Sequence, residues 1–163
     1  LNHDVTIPTC QLDFALPERF ELEYVDQNGE KQRPVVIHRA ILGTSDRFIS
    51  FLIEETKGNL PVWLSPLQVK VLTIADRHIE YADALAQKLE RMGIRVEVDS
   101  REEKMGYKIR EAQLSKVPYM IVVGDKEVEE NKVNVRIRGV QEQESMDVEA
   151  FINKIADEAK APC

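Results

Sequence analysis

Cysteine is scarce in this 163-residue chain: there are two, Cys10 and Cys163, near its opposite ends. Two such residues do not make a disulfide framework, and a reducing compartment, the cytoplasm, is expected. Histidine is nearly as scarce, with three residues, so a self-contained structural zinc site is not expected. Long apolar runs are missing. The longest, Tyr119 to Val123, is strand-sized, far short of the roughly 20 residues of a membrane-spanning helix, so no membrane partner is expected. The sequence opens Leu-Asn-His-Asp, with neither the basic nor the apolar region of a signal peptide. It also lacks an initiator methionine, so a processed or partial chain is expected. Gly-x-Gly-x-x-Gly, P-loop and Gly-x-Ser-x-Gly patterns are all missing, which leaves dinucleotide, Walker-type and hydrolase-elbow readings without support.

What is present describes a folded protein, 43% apolar and 31% charged, with room for one full domain or a small domain plus a piece of another. The net charge of −7 argues against non-specific coating of DNA. That charge is uneven. Arg101 to Lys116 carries a net +2 and Lys132 to Arg138 a net +3, leaving −12 for the rest. Two nearby basic segments in an acidic chain suit one polyanion bound on one face, and equally suit a solvated surface with chance clustering.

The chain changes character near residue 60. Before it, Phe20 to Val25 alternates as a half-buried strand, Asp26-Gln-Asn-Gly29 is a turn, and Arg33 to His38 reads as the returning strand. Ser45 is placed to cap a helix through about Thr56, with Phe48, Ile49, Leu52 and Ile53 along one face. Lys57-Gly-Asn-Leu-Pro61 is loop chemistry, which divides the chain into domains 1–60 and 61–163.

After it, strand and helix alternate. Val69–Ile74 is a strand, and Ile79, Ala82, Leu85, Ala86 and Leu89 form a helical stripe ending at Gly93. Ile94–Asp99 is a strand, and Lys108–Lys116 a helix with Ile109, Ala112 and Leu114 inward. Tyr119–Val123 reads as a strand covered on both faces. Lys132–Arg138 alternates, and Asp147 caps a last helix through Ala159. The order β-α-β-α-β-β-α predicts an α/β domain with a mixed sheet flanked by three helices. On Lys132–Arg138, Asn134, Arg136 and Arg138 project from one face, either to read RNA or to protect a charged sheet edge. Lys104-Met-Gly-Tyr-Lys108 superficially resembles a nucleotide-binding loop of class I synthetases, but Met105 and Ile109 fit helix-entry core positions. His3 and His78 have no ligand-spaced neighbours and are expected to face solvent.

Ile37-His-Arg-Ala-Ile-Leu-Gly-Thr-Ser-Asp-Arg-Phe48 resembles motif 3 of class II aminoacyl-tRNA synthetases, in the form found in the threonyl-tRNA synthetase family. The likeness runs from Gln11–Phe20 through Pro61–Val69, Lys108–Glu111, Val117–Met120 and Gly124–Val128, covering roughly residues 9 to 160. It implies an antiparallel strand pair and helix from the end of a class II catalytic domain, followed by a class II anticodon-binding domain. It also implies the family's reaction, joining threonine to its tRNA through threonyl-adenylate. His38, at the end of a strand expected to be buried, matches one of three zinc ligands; in the family the zinc chelates threonine. Arg47 matches the motif 3 arginine on the ATP phosphates, which stabilises charge as adenylate forms. Thr9 and Gln11 match adenylate-pocket positions, and Ala40 accommodates the threonine methyl. Lys104, Arg110, Glu127 and Arg136 match positions that contact the anticodon loop. Glu102 replaces a common asparagine, and an acid there cannot donate to a base acceptor.

Residues 1–8 depart from the family, and motifs 1 and 2 and the other two zinc ligands have no counterpart here. The chain is therefore expected to be part of a threonine–tRNA ligase, recognising threonine tRNA but catalytically incomplete alone. Zinc, ATP with magnesium, threonine and a homodimeric state are expected of the complete enzyme, and no DNA partner of either. A stand-alone anticodon-binding-like RNA-binding or regulatory module is the alternative.

Overall fold

A computed structural model describes residue 4, residues 6–140 and residues 142–162. The chain divides into two units, Leu1–Glu55 and Thr56–Cys163. His3 and Cys163 lie outside the described residues.

In the first unit, β1 (Thr9–Asp13) pairs antiparallel with β4 (Val36–Ala40). Between them lie the short helix α1 (Ala15–Arg19) and a two-residue hairpin of β2 (Tyr24–Val25) and β3 (Lys31–Gln32). The hairpin turn falls at the expected Asn-Gly, with Gly29 at φ 81°, a conformation glycine adopts without strain. The flanking strands are shorter than the alternation predicts. Phe20 closes α1 and Glu21 takes a left-handed φ of 51°, so the first hairpin strand begins only at Tyr24. The strand holding His38 does not complete that hairpin but pairs with β1. Nor is it buried, since Ile37 is 62% exposed. Helix α2 (Ser45–Thr56) forms as its apolar spacing predicts, with Thr44 rather than Ser45 accepting a backbone N–H through its hydroxyl.

The second unit is an α/β layer structure. Its sheet has the order β6-β5-β7-β8-β9, from β5 (Val69–Thr73), β6 (Val96–Asp99), β7 (Tyr119–Val123), β8 (Lys132–Ile137) and β9 (Gln143–Asp147). β5 is parallel to β6 and β7, while β7–β8 and β8–β9 are antiparallel. β5 and β7 are the central strands and their uniform apolarity matches cover on both faces. Helices α3 (Ile79–Arg91) and α6 (Val148–Glu158) bury Leu85, Leu89, Phe151 and Ile155 with Val69, Val71, Ile121 and Val135 on one face. Helix α4 (Met105–Leu114) packs on β5 from the other, where alternation turns Leu72 and Met120.

Three helices of ten or more residues flank the mixed sheet, as expected, and a fourth, α5 (Asp125–Glu130), is a short addition. β9 is also unforeseen, since Gln143-Glu-Ser-Met-Asp147 offers no apolar alternation. Its presence removes the edge reading of β8, which is an interior strand. Leu114, expected inward, is 73% exposed. His78, expected in solvent, is buried: its Nδ1 accepts the Ala75 N–H (3.2 Å) and its Nε2 faces Asp125 Oδ1 (2.9 Å). Asp147 is at the N-cap position of α6 without a side-chain capping bond.

Candidate nucleic-acid interface

The two basic segments hold eight cations, and packing disposes of most of them. Lys108 points inward: its Nζ donates to the carbonyls of Thr73 (3.0 Å) and Asp99 (3.1 Å). Arg101 grips Asp99 through Nε (2.9 Å) and a terminal nitrogen (2.6 Å), and also pairs with Glu111. That grip holds the Asp99 carboxyl below its ordinary range, the Arg101 hydrogen bond being the largest cause. Lys116 donates to the Lys57 carbonyl, and Lys132 pairs with Glu130 at 3.0 Å. Arg138 donates to the carbonyls of Lys116 and Leu60, both at 2.7 Å. Three cations remain without an acidic or backbone-carbonyl partner among the described residues: Lys104, Arg110 and Arg136. These are the three that the family likeness singles out.

They share one side of the unit. Arg136 lies opposite Met120 on β7 and Gln143 on β9, so it projects from the sheet face that α4 covers. Lys104 and Arg110 belong to α4 itself, at its N-cap and in its second turn. A pocket of about 400 Å³ between α4 and the sheet is lined by Gln113, Met120 and Arg136. A second, of about 430 Å³, opens where β5 and β6 end, and includes Arg101, Glu102, Lys104 and Lys108. α4 stops short of β8 and β9, leaving Asn134, Arg136, Gln143 and Ser145 as a polar strip on that face. Gln143 knits the strip together: its amide oxygen accepts from Arg136 Nε at 3.0 Å and its nitrogen reaches Asn134 Oδ1 at 3.0 Å.

Glu127 stands in the first turn of α5, where one carboxylate oxygen accepts the Gly124 N–H at 3.0 Å. The start of α5 is held from the neighbouring loop by Arg77, which grips Asp125 at 2.7 and 2.5 Å, and by His78. Those contacts push the Asp125 carboxyl far below the ordinary range, the Arg77 hydrogen bond being the largest cause. A Cβ at Gly124 would stand 2.7 Å from Ile74 Cδ1, which shows how closely the loop approaches. None of the clamp was visible in the sequence, because residues 77 and 125 meet only through the sheet.

The remaining candidates lie in the first unit. Thr9 is opposite Ala40 and Gln11 opposite His38 on the β1–β4 ribbon, so all four share one face. A pocket of about 410 Å³ includes Thr9 and Ala40. His38 is tied through Nε2 to Asp13 Oδ2 at 2.9 Å, and Asp13 Oδ1 accepts the Ala15 and Leu16 N–H groups that begin α1. The Leu16 N–H above all, and then His38, keep the Asp13 carboxyl below its usual range. Arg47 stands on a separate element, exposed near the start of α2. Among the described residues no three His, Cys, Asp or Glu side chains gather as a metal ion requires. His38 is thus a single candidate donor, and one donor does not by itself fit a catalytic zinc.

Residues 68–158, more than half of the chain, match the family model described as an anticodon binding domain. Residues 1–56 match the tRNA synthetase class II core domain of the G, H, P, S and T enzymes. A threonine–tRNA ligase of Halalkalibacterium halodurans is 53% identical over 161 residues, 98% of this chain and 25% of that protein. One from Staphylococcus aureus gives the same identity and coverage. The chain therefore spans about a quarter of the length of the curated relatives it matches. Among solved structures, the RNA binding domain of threonyl-tRNA synthetase from Cryptosporidium parvum aligns with a TM-score of 0.78 at 41% identity, over 93% of this chain and 39% of that one.

Proposed function

The chain belongs to the anticodon-binding-domain family, and from that premise we propose that its second unit reads the anticodon loop of threonine tRNA within a threonine–tRNA ligase. The observation that carries this reading is that five of eight nearby cations are tied to acidic or backbone-carbonyl partners, whereas Lys104, Arg110 and Arg136 are not and lie on the side of the sheet that α4 covers. Splayed loop bases present hydrogen-bonding edges and phosphates that such groups suit. Glu127 keeps a second carboxylate oxygen to accept from an exocyclic amine. Glu102 contributes no donor there, so its neighbour Lys104 supplies the positive charge of that pocket.

In this reading residues 1–60 close the class II catalytic core and residues 61–163 form the anticodon-binding domain. In the parent enzyme Thr9, Gln11 and Ala40 would line one face toward the adenylate, His38 would supply one ligand of a threonine-sensing zinc whose other ligands lie outside this chain, and Arg47 would neutralise ATP phosphate charge. The parent enzyme would use ATP with magnesium, act as a homodimer and work in the cytoplasm. What supports this is the relationship to threonine–tRNA ligases over nearly the whole chain. Among the described residues no helix is long and apolar enough to cross a membrane.

Filter binding of threonine tRNA to the chain tests the proposal. Arg136→Ala should weaken binding by about 1–3 kcal/mol, the worth of a good base contact. A dissociation constant unchanged at moderate salt would remove Arg136 from the interface. ATP–pyrophosphate exchange by the isolated chain would overturn its assignment as the RNA-reading part of a larger catalyst.

A further inference from the structure

The outer surface of α4 carries an aromatic ring that neither the fold nor the cation inventory uses. Tyr107 is 53% exposed, in a helix whose inward positions are Lys108 and Ala112. At 100° per residue, positions 107 and 110 lie about 60° apart on the helix, and Lys104 precedes them as its N-cap. A strand that follows the outer side of α4 from Lys104 to Arg110 passes Tyr107 on the way. Leu114, one turn past Arg110, extends the same outer stripe and is 73% exposed. Exposed apolar surface between unpaired cations is poorly suited to water, and well suited to a nucleobase whose phosphates sit on the flanking charges.

Resting on the RNA-binding reading above, we infer that Tyr107 is a stacking platform for one unpaired base of the bound RNA loop. The ring contributes its flat face rather than its hydroxyl, so the contact tolerates any base and adds affinity without selecting sequence. Lys104 and Arg110 hold the phosphates on either side, which fixes the strand in register over the ring.

The test uses the full chain and an RNA hairpin carrying the threonine anticodon, titrated at several salt concentrations. Tyr107→Ala should weaken binding about tenfold, with an unchanged slope of log Kd against log salt, because lost stacking releases no counterions. Tyr107→Phe should bind within about twofold of the wild type. Unfolding of each variant at the wild-type temperature establishes that α4 is intact. Three outcomes would overturn the inference: Tyr107→Ala binding like the wild type, Tyr107→Phe losing as much as Tyr107→Ala, or a reduced salt slope in Tyr107→Ala. Arg136→Ala, measured alongside, separates the two levels. If it weakens binding while Tyr107→Ala does not, only the stacking role fails; if neither variant matters, the RNA-binding reading fails too.

Discussion

Lys108→Met is the sharpest probe of how the second unit holds helix α4 in place. Both Lys108 and Asp99 have side chains only 2% exposed, with Nζ 4.0 Å from Asp99 Oδ1. Methionine keeps the length and packing of the lysine stem but removes its charge and both donated bonds. Breaking a buried ion pair from one side costs about 3–5 kcal/mol when the partner is left alone. Asp99 is not left alone, since Arg101 still grips it at 2.9 and 2.6 Å. The Asp99 carbonyl also keeps the Thr73 hydroxyl at 3.3 Å, so the Thr73 carbonyl loses most. Removing a desolvated ammonium offsets part of the damage. We therefore expect a destabilisation of about 2–3 kcal/mol. With a urea m-value of roughly 1.5 kcal/mol per molar for a unit of this size, the midpoint should fall by about 1.3–2 M. The chain has one tryptophan, Trp63, and it lies in the second unit in the 3₁₀ turn Val62–Leu64, where its carbonyl accepts from Arg95 at 2.9 Å. Its fluorescence follows the unfolding of that unit alone. A midpoint equal to or above the wild type would refute the reasoning, showing that the ammonium's desolvation outweighs its contacts.

Other expectations are simpler. Gln143→Ala should loosen the Arg136 guanidinium and weaken RNA binding about threefold, less than Arg136→Ala; the double variant should bind no worse than Arg136→Ala alone, and additive losses would show the two act separately. Asp125 titrates below the unfolded range, so its contribution to stability is present above pH ~4 and is lost as pH falls through its folded value. The difference in Tm between the wild type and Asp125→Asn should therefore shrink from about pH 5 towards pH 2. A gap that stays constant across that range would mean the Arg77–Asp125–His78 contacts do not stabilise the carboxylate.

The elements easiest to read were those whose pattern is local. The stripe from Ile79 to Leu89 and the apolar run Tyr119–Val123 each announce their period, because burial of one face or both dictates which positions are apolar. β9 is polar on nearly every position and forms because β8 presents an unpaired ladder beside it, a cause no window of sequence contains. The Phe20–Val25 alternation misleads for the opposite reason, since α1 extends its turn through Glu21 and uses the residues that would have begun the strand.

The candidate interface divides in the same way. By itself the sequence determined the alternation of strand and helix in the second unit, the scarcity of metal ligands, and that positive charge gathers in two segments. Only the tertiary structure decided which of those charges can meet a ligand. Lys108 and Arg110 are two residues apart and indistinguishable by composition, yet helical geometry turns one into the interior and the other into solvent. Arg136 and Arg138 alternate on one strand, but β8 ends between them and Arg138 is spent on two carbonyls. Cysteine and histidine scarcity can be read from the sequence alone, whereas the burial of His78 against Asp125 required the sheet to bring residues 47 positions apart within 2.9 Å. Local spacing fixes which way a side chain leaves the backbone, and long-range pairing fixes what it meets there.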